Sequence, residues 1–332
     1  MSRFDKVVIV TKETQLERLV RKFATKSQAE FYIAQSYLAA AAPRAASAAA
    51  LKEEEKKIQA GIEEIETADT VYRAAVDHIK RMIPPDVKVQ HIDWTYLPGF
   101  LFGEKDLVVT LGQDGLVINT AKYLSGQPIF AVNPDPGRID GVLLPFDIGG
   151  AERQIARILA GDFDKDLISI AMASLNDGKD LYGVNDIFIG PKSHTSFLCT
   201  VNHLGVEEPQ SSSGIIVSTG AGSTGWFKSI IEGARQVAAG FDGALRSAAE
   251  SGYSWDADYL YFTVREPFMS KMSRCSTVFG RITPDAPLVV TSQMAQNGVI
   301  FSDGIENDYL EFNSGKIATI TLADRKAVLI KK

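Results

Sequence analysis

A glycine-flanked aspartate sits where a strand pattern turns into a helix pattern. The apolar run at 107–111 leads straight into Gly112-Gln113-Asp114-Gly115, and a helical pattern continues to Leu124. Glycines at such a turn let backbone amides approach phosphate, and a helix N-terminus favours negative charge. The aspartate has another use: at the carboxyl end of a parallel strand it can accept a proton from a hydroxyl or hold a cation. It can equally be the N-cap of the helix. A second turn of this kind, Ser218-Thr219-Gly220-Ala221-Gly222-Ser223-Thr224-Gly225, leaves another apolar run and enters a helix pattern over 223–239. Its hydroxyls and amides are dense enough to meet a nucleotide, or simply to cap a helix after a tight turn. Two such turns point to a phosphate-rich ligand. Neither carries the lysine of a P-loop or the GxGxxG fingerprint, which weakens Walker-type ATPase and ordinary dehydrogenase readings.

The elements that must position these turns follow from the spacing of apolar residues. The β-branched run at 6–10 suits a buried parallel strand, and Thr14-x-x-Glu17 after it is a capping box. Leu16, Leu19, Val20 and Phe23 then share one helical face. A second capping box, Ser27-x-x-Glu30, opens an alanine-rich segment that Pro43 interrupts, after which helix formers continue to about Arg81 and Pro84-Pro85 ends the region. Ile58, Ile62 and Ile65 share a face there, as do Val76, Ile79 and Ile83. Residues 27–83 therefore read as helices packed on a core or on another subunit, with a mobile helical hairpin as the alternative. Further apolar runs at 87–89, 107–111 and 129–132 alternate with helical stretches, the pattern of a doubly wound, Rossmann-like parallel sheet. From about residue 165 short strand-like runs at 168–171, 187–189, 197–201 and 215–218 are separated by turn residues, which favours a β-rich second domain.

The expected division is an α/β domain over 1–148, with a helical insertion at about 27–83, and a β-rich domain over 149–332, to which the resemblance described below adds dinucleotide binding. The last residues are open to returning to the first domain. At 332 residues two domains are the default. A net charge of −6, from 35 basic and 41 acidic side chains, disfavours nucleic acid as a partner, and no apolar run is long enough to span a membrane. The opening MSRFDKVVIV lacks the apolar stretch of a signal peptide and the Arg/Ser-rich helix of a transit peptide, so a cytoplasmic location is expected. Cys199 and Cys275 read as reduced thiols. His78, His91, His194 and His203 show no ligand spacing.

Leu111-Gly112-Gln113-Asp114-Gly115 resembles the GGDG motif of NAD kinases, and 218–225 resembles their second glycine-rich, Ser/Thr-rich motif. Val184-Asn185-Asp186-Ile187-Phe188-Ile189-Gly190 is similar to their Asn-Glu segment, with Asp186 for the glutamate. Other stretches resemble the mitochondrial-type branch of that family: Val132-Asn133-Pro134-Asp135-Pro136-Gly137-Arg138, 219–223 with Trp226, Val264-Arg265-Glu266-Pro267, and Phe312-Asn313-Ser314-Gly315. The motifs run in family order over nearly the whole chain. The resemblance implies an NAD kinase-like fold, an α/β domain followed by a β-sandwich-like domain with the site between them. It implies transfer of the terminal phosphate of ATP or polyphosphate to the adenosine ribose 2′-hydroxyl of NAD, a divalent cation such as Mg2+, and a homodimer or higher homo-oligomer. Carried over by position, Asp114 is the general base, flanked by Gly112 and Gly115. Asn185 and Asp186 bind the hydroxyls of an NAD ribose, and Ser223, Thr224, Gly225 and Trp226 line the dinucleotide pocket.

The chain departs from the family pattern at three places. Gln113 replaces the second glycine of GGDG, Leu116 replaces the usual threonine, and Ser213 stands where many bacterial members have an acidic residue. The first two bear on turnover and donor choice more than on dinucleotide binding. They keep two alternatives open: a related kinase acting on a lipid or another small-molecule hydroxyl, and a non-catalytic dinucleotide-binding regulator. Phe301-Ser302-Asp303-Gly304 resembles a family Asp-Gly pair and reads as a β-turn with a secondary site role open. Arg265-Glu266 reads as structural.

Overall fold

The β-branched runs at 7–10 and 107–109 become strands with no exposed side, whereas the run at 87–89 enters a largely exposed strand. The computed structural model describes residues 3–41, 48–241 and 252–332, and the chain divides into two compact units. One comprises Met1–Val117, Phe130–Phe163 and Lys332; the other comprises Ile118–Ile129 and Asp164–Lys331.

Up to Phe163 the order is β1 (Lys6–Thr11), α1 (Gln15–Phe23), α2 (Lys26–Ala41), α3 (Ala48–Met82), β2 (Lys88–Asp93), β3 (Asp106–Leu111), α4 (Asp114–Ala121), β4 (Pro128–Asn133), β5 (Phe146–Asp147) and α5 (Ile148–Leu159), of which the end of α4 and the start of β4 count with the second unit. Strand β1 pairs in parallel with both β2 and β3, β4 lies beside β3, and β5 pairs in parallel with β4. Val7 to Val10 and Leu107 to Val109 are inaccessible to solvent, as expected of parallel strands covered on both faces. Thr14 and Glu17 form the capping box of α1, and its apolar face is half-buried.

The second cap sits elsewhere than expected. Helix α2 starts at Lys26, and the Thr25 hydroxyl, not that of Ser27, accepts the Gln28 amide at 3.2 Å. Pro43 lies outside the described residues. Helix α3 is one 35-residue helix whose Ile62, Ala75, Val76 and Ile79 are buried. Its Asp69 accepts from Thr14 at 2.5 Å and from Arg73 at 2.8 Å, which ties it to the start of α1.

The second unit contains β6 (Lys165–Leu175), β7 (Asp180–Gly183), β8 (Asp186–Pro191), β9 (Phe197–His203), β10 (Val206–Ser212), β11 (Ile215–Ser218), α6 (Trp226–Phe241), β12 (Leu260–Val264), β13 (Phe279–Ile282), β14 (Leu288–Ser292), β15 (Gly298–Ser302), β16 (Tyr309–Glu311) and β17 (Ile317–Ile330). One sheet has the order β10-β9-β14-β17, with β6 pairing antiparallel to β17. The other has the order β13-β12-β11-β8-β15-β16. Alternate residues of both sheets form one core: Ala171 and Ala173, Phe197, Cys199 and Val201 from the first, Ile187 and Ile189, Ile215 and Val217 from the second. Period-2 alternation pointing inward from two layers is the signature of a sandwich. Burial there pushes the Cys199 thiol up to about 12, in keeping with a packing role. The opposite face of the second sheet, with Phe188, Ile216 and Val299, is covered by Trp226 and Ile230 of α6. Among the described residues no helix is long and apolar enough to cross a membrane.

Candidate functional site

Asp114 is the first residue of α4, at the carboxyl end of β3, and both its oxygens are occupied. Oδ2 accepts the Val142 amide at 3.0 Å and Oδ1 the Leu143 amide at 2.9 Å. Two amides on one carboxylate hold its plane while leaving a lone pair on each oxygen. Gly141 makes that loop possible: its φ is +65°, and a Cβ there would lie 2.8 Å from Leu144 and 3.0 Å from the Asn133 amide group. Gly112 donates to Val132 O at 3.4 Å, and a Cβ on it would lie 3.0 Å from the Leu116 side chain. Leu116, only 4% exposed, therefore packs over the turn. Gln113 is exposed and is not among the residues with positive φ, so the missing glycine imposes no left-handed strain. Space for a Cβ at Gly115 is open.

In the second unit, two motifs that lie 34 residues apart in sequence meet. The Thr219 amide donates to Asn185 O at 2.9 Å, and the Thr219 hydroxyl donates to Val184 O. Gly222 faces the same segment so closely that a Cβ would fall 2.0 Å from Asn185 O. Gly222→Ala should thus cost about 1–3 kcal/mol of stability, because only a backbone shift relieves the clash. A thermal midpoint equal to wild type would contradict this packing. Ser223 serves the turn itself: its hydroxyl donates to Gly220 O at 2.6 Å and accepts the Tyr253 amide at 3.2 Å. Thr224 and Gly225 are exposed.

The Asn185-Asp186 segment is held from behind by Asp303. The Asp303 carboxylate accepts the amides of Val184 at 3.1 Å, Asn185 at 2.7 Å and Asp186 at 3.3 Å. Asp303 itself follows β15 in a turn with φ +56° and is half-buried, with its carboxylate turned onto the 184–186 amides. Burial pushes that carboxyl up to about 6, against the pull of the Val184 and Asn185 amides and of the Lys122 ammonium. Lys122 is 5% exposed and lies 3.4 Å from Asp308, which also accepts from the Tyr123 hydroxyl at 2.9 Å. Burial, with the nearby Asp303 carboxylate adding to it, pushes Asp186 up to about 7. Among the described residues nothing donates to the Asp186 carboxylate or bonds the Asn185 side-chain amide. At 8% exposed, Asp186 is not among the residues with fully buried, orphaned polar atoms, so its carboxylate reaches the surface, where a ligand hydroxyl can donate to it.

No family model matches the chain. Over 127 residues, 36% of this chain and 44% of the relative, it is 28% identical to an NAD kinase of Heliobacterium modesticaldum (strain ATCC 51547 / Ice1). The aligned stretch thus spans less than half of that relative. A crystal structure of an NAD kinase from Archaeoglobus fulgidus in complex with ATP superposes with a TM-score of 0.55 at 14% identity, covering 98% of this chain and 93% of that one. The chain has the NAD kinase fold.

Within this NAD kinase fold the sequence motifs are distributed unevenly. Asn185, Asp186, Ser223, Thr224 and Gly225 converge through the contacts around Thr219 and Gly222, whereas Trp226 faces elsewhere. Its ring stacks on Phe188 at 5.7 Å, carries the Arg265 guanidinium at 5.2 Å, and lines a cavity of about 860 Å3 with Phe301 and Tyr309. Phe188 of the 184–190 segment and Arg265 and Glu266 of the 264–267 segment also line that cavity, whereas Asp114, Asn185, Asp186, Ser223, Thr224 and Gly225 do not. Sequence reasoning underrated Asp303, whose Asp-Gly signal reads locally as a turn, and missed Lys122 and Tyr123, which carry no motif. Among the described residues no group of three or more His, Cys, Asp or Glu is placed to hold a metal ion.

Proposed function

We propose that this chain is an NAD kinase, transferring the terminal phosphate of ATP or polyphosphate to the adenosine ribose 2′-hydroxyl of NAD. The observation that carries the reading is the Asn185-Asp186 segment, which presents a buried, undonated carboxylate on a backbone locked by Asp303 and Thr219. A carboxylate in that state can accept from two adjacent ribose hydroxyls. The similarity to NAD kinases over 127 residues supports the same assignment. In this reading Asn185 and Asp186 orient the ribose, and Thr224 and Gly225 border the dinucleotide. Gly112 and Gly115 leave room for phosphate oxygens beside the first amides of α4.

Asp114 takes the proton of the 2′-hydroxyl as its oxygen bonds to the terminal phosphorus and the bond to the leaving phosphate breaks. A divalent cation on the donor phosphates supplies charge neutralisation when bound. Membership of the mitochondrial-type branch, assembly as a homo-oligomer and a cytoplasmic location belong to the same proposal.

A second reading, a dinucleotide-binding regulator without turnover, is favoured by Leu116 filling the space over Gly112. A panel assay separates the two: ADP release and NADP formation with NAD, NADH and a lipid as acceptors and ATP or polyphosphate as donor. The kinase reading expects NADP with one of the dinucleotides and nothing with the lipid. Gln113→Gly with Leu116→Thr should change the Michaelis constant for ATP, or the preference for polyphosphate, while NAD affinity holds. Phosphoryl transfer seen only in that double variant would leave the wild type a binding protein.

A further inference from the structure

Helix α4 ends at Ala121, and the residue after it is a lysine almost closed to solvent. We propose that Lys122 is a positioning residue of the acceptor site: its ammonium balances the Asp303 carboxylate that holds the 184–186 amides, so that Asn185 and Asp186 stand ready for the ribose hydroxyls. This rests on the kinase reading above.

The burial of Lys122 needs a reason. Its side chain is 4% exposed, and an ammonium taken out of water is costly unless opposite charge repays it. Among the described residues its one hydrogen-bond partner is Asp308, at a long 3.4 Å, and that carboxylate is itself 44% exposed. The Tyr123 hydroxyl donates to the same oxygen at 2.9 Å. So open a pair repays little. The other opposite charge is Asp303, whose carboxyl Lys122 pulls down against the effect of burial. The backbone that carries Lys122 is fixed from β17. Arg325 donates to the Lys122 carbonyl at 2.9 Å and to the Ser125 hydroxyl at 3.2 Å, and its guanidinium lies 4.1 Å from the Tyr182 ring.

What the charge does there follows from the two carboxylates. Asp303 accepts three amides, and an ionised acceptor makes the stronger bonds. Asp186 lies on the segment those amides belong to, and the Asp303 charge works against its ionisation. Two neighbouring carboxylates resist ionising together, and a cation beside one of them lowers the pH at which both are charged. Ribose binding needs both, one to clamp the backbone and the other to accept hydroxyls. The groups that act on this pair are Lys122 and Tyr123 after α4 and Asp308 in the turn that Asp303 opens; Glu306 of that turn lines the Trp226 cavity. An apolar side chain as long as lysine would fill the same space, so only the charge distinguishes positioning from packing.

The test is calorimetric NAD binding from pH 6 to 9 with wild type, Lys122→Met and Asp308→Asn, beside melting curves. In Lys122→Met the pH at which affinity rises should move up by about one unit or more, the usual effect of losing a neighbouring opposite charge. NAD should then bind about fivefold or more weakly at pH 7 and recover by pH 9. Asp308→Asn should move that midpoint down, because Lys122 then faces Asp303 alone. Asp308 is at the surface, so this variant decides the question even if Lys122→Met does not fold. The Michaelis constant for ATP should hold in both. A midpoint unmoved in every folded variant overturns the proposal, as does a loss in Lys122→Met that is equal at every pH, which a purely structural lysine would give. Shifted midpoints with no NADP formed by wild type would keep Lys122 in this role and sink the kinase reading. NADP formation by wild type with unmoved midpoints would do the reverse.

Discussion

Asp114→Asn should lower turnover with NAD by about a hundredfold or more while changing NAD affinity little. The substitution removes the group that accepts the 2′-hydroxyl proton and keeps the size of the side chain. It also sets an amide NH2 against one of the two backbone amides that now point at the carboxylate, from Val142 and Leu143. One of those contacts becomes donor against donor, so a lower melting midpoint should accompany the kinetic loss. The two effects separate in a single-turnover experiment at a temperature where the variant is folded. Near-normal turnover there would remove Asp114 from the role of base and leave it a loop anchor.

Asp186→Ala should weaken NAD binding by about 1–3 kcal/mol, the usual loss for a charged hydrogen-bonding partner, with little change in the donor's apparent affinity. A pH signature accompanies it. Burial and the neighbouring Asp303 push Asp186 up to about 7, from an ordinary aspartate value of about 4. The ionised form is the one that accepts from ribose hydroxyls, so NAD affinity should rise as pH increases through about 7 and level off above it. Stability runs the other way. Between about 4 and 7 the folded chain holds a proton that the unfolded chain has already released, so stability is greatest below that window and declines as pH rises across it. Asp303, pushed up to about 6, adds to the same decline. Calorimetry of NAD binding and thermal melts from pH 5 to 8 read both slopes. A pH-independent affinity in wild type would mean that Asp186 does not contact the ligand.

Much of the framework was legible because local pattern and tertiary role agree. The apolar run of β3 followed by Gly112 and Asp114, the Thr14 and Glu17 cap, and the short apolar runs of β8 and β11 each carry their signal within a few residues. Helix α5 gave no such signal, since Gly149 and Gly150 open it and depress helix propensity; Asp147 caps it by accepting the Gly150 amide. Thr25 rather than Ser27 capping α2 is a one-residue ambiguity between neighbouring hydroxyls. At the candidate site, the segment at 184–186 could be named from its motif, but the support behind it could not. Asp303 reaches back 117 to 119 residues to hold those amides. Lys122, at the end of a helix pattern, gives no hint in sequence that it is buried beside carboxylates. Trp226 belongs to the second motif by position, yet its neighbours Phe188 and Arg265 draw it into a different cavity.

The central claim is that a phosphoryl group moves from a nucleotide to one particular hydroxyl of NAD. Incubating the full chain with NAD, Mg2+ and ATP labelled in its terminal phosphate, then locating the label by phosphorus NMR, tests it most directly. The account predicts one labelled phosphate per ADP released, carried on the 2′-oxygen of the adenosine ribose as a monoester. NAD binding without any labelled dinucleotide, or label released only as inorganic phosphate, would contradict it.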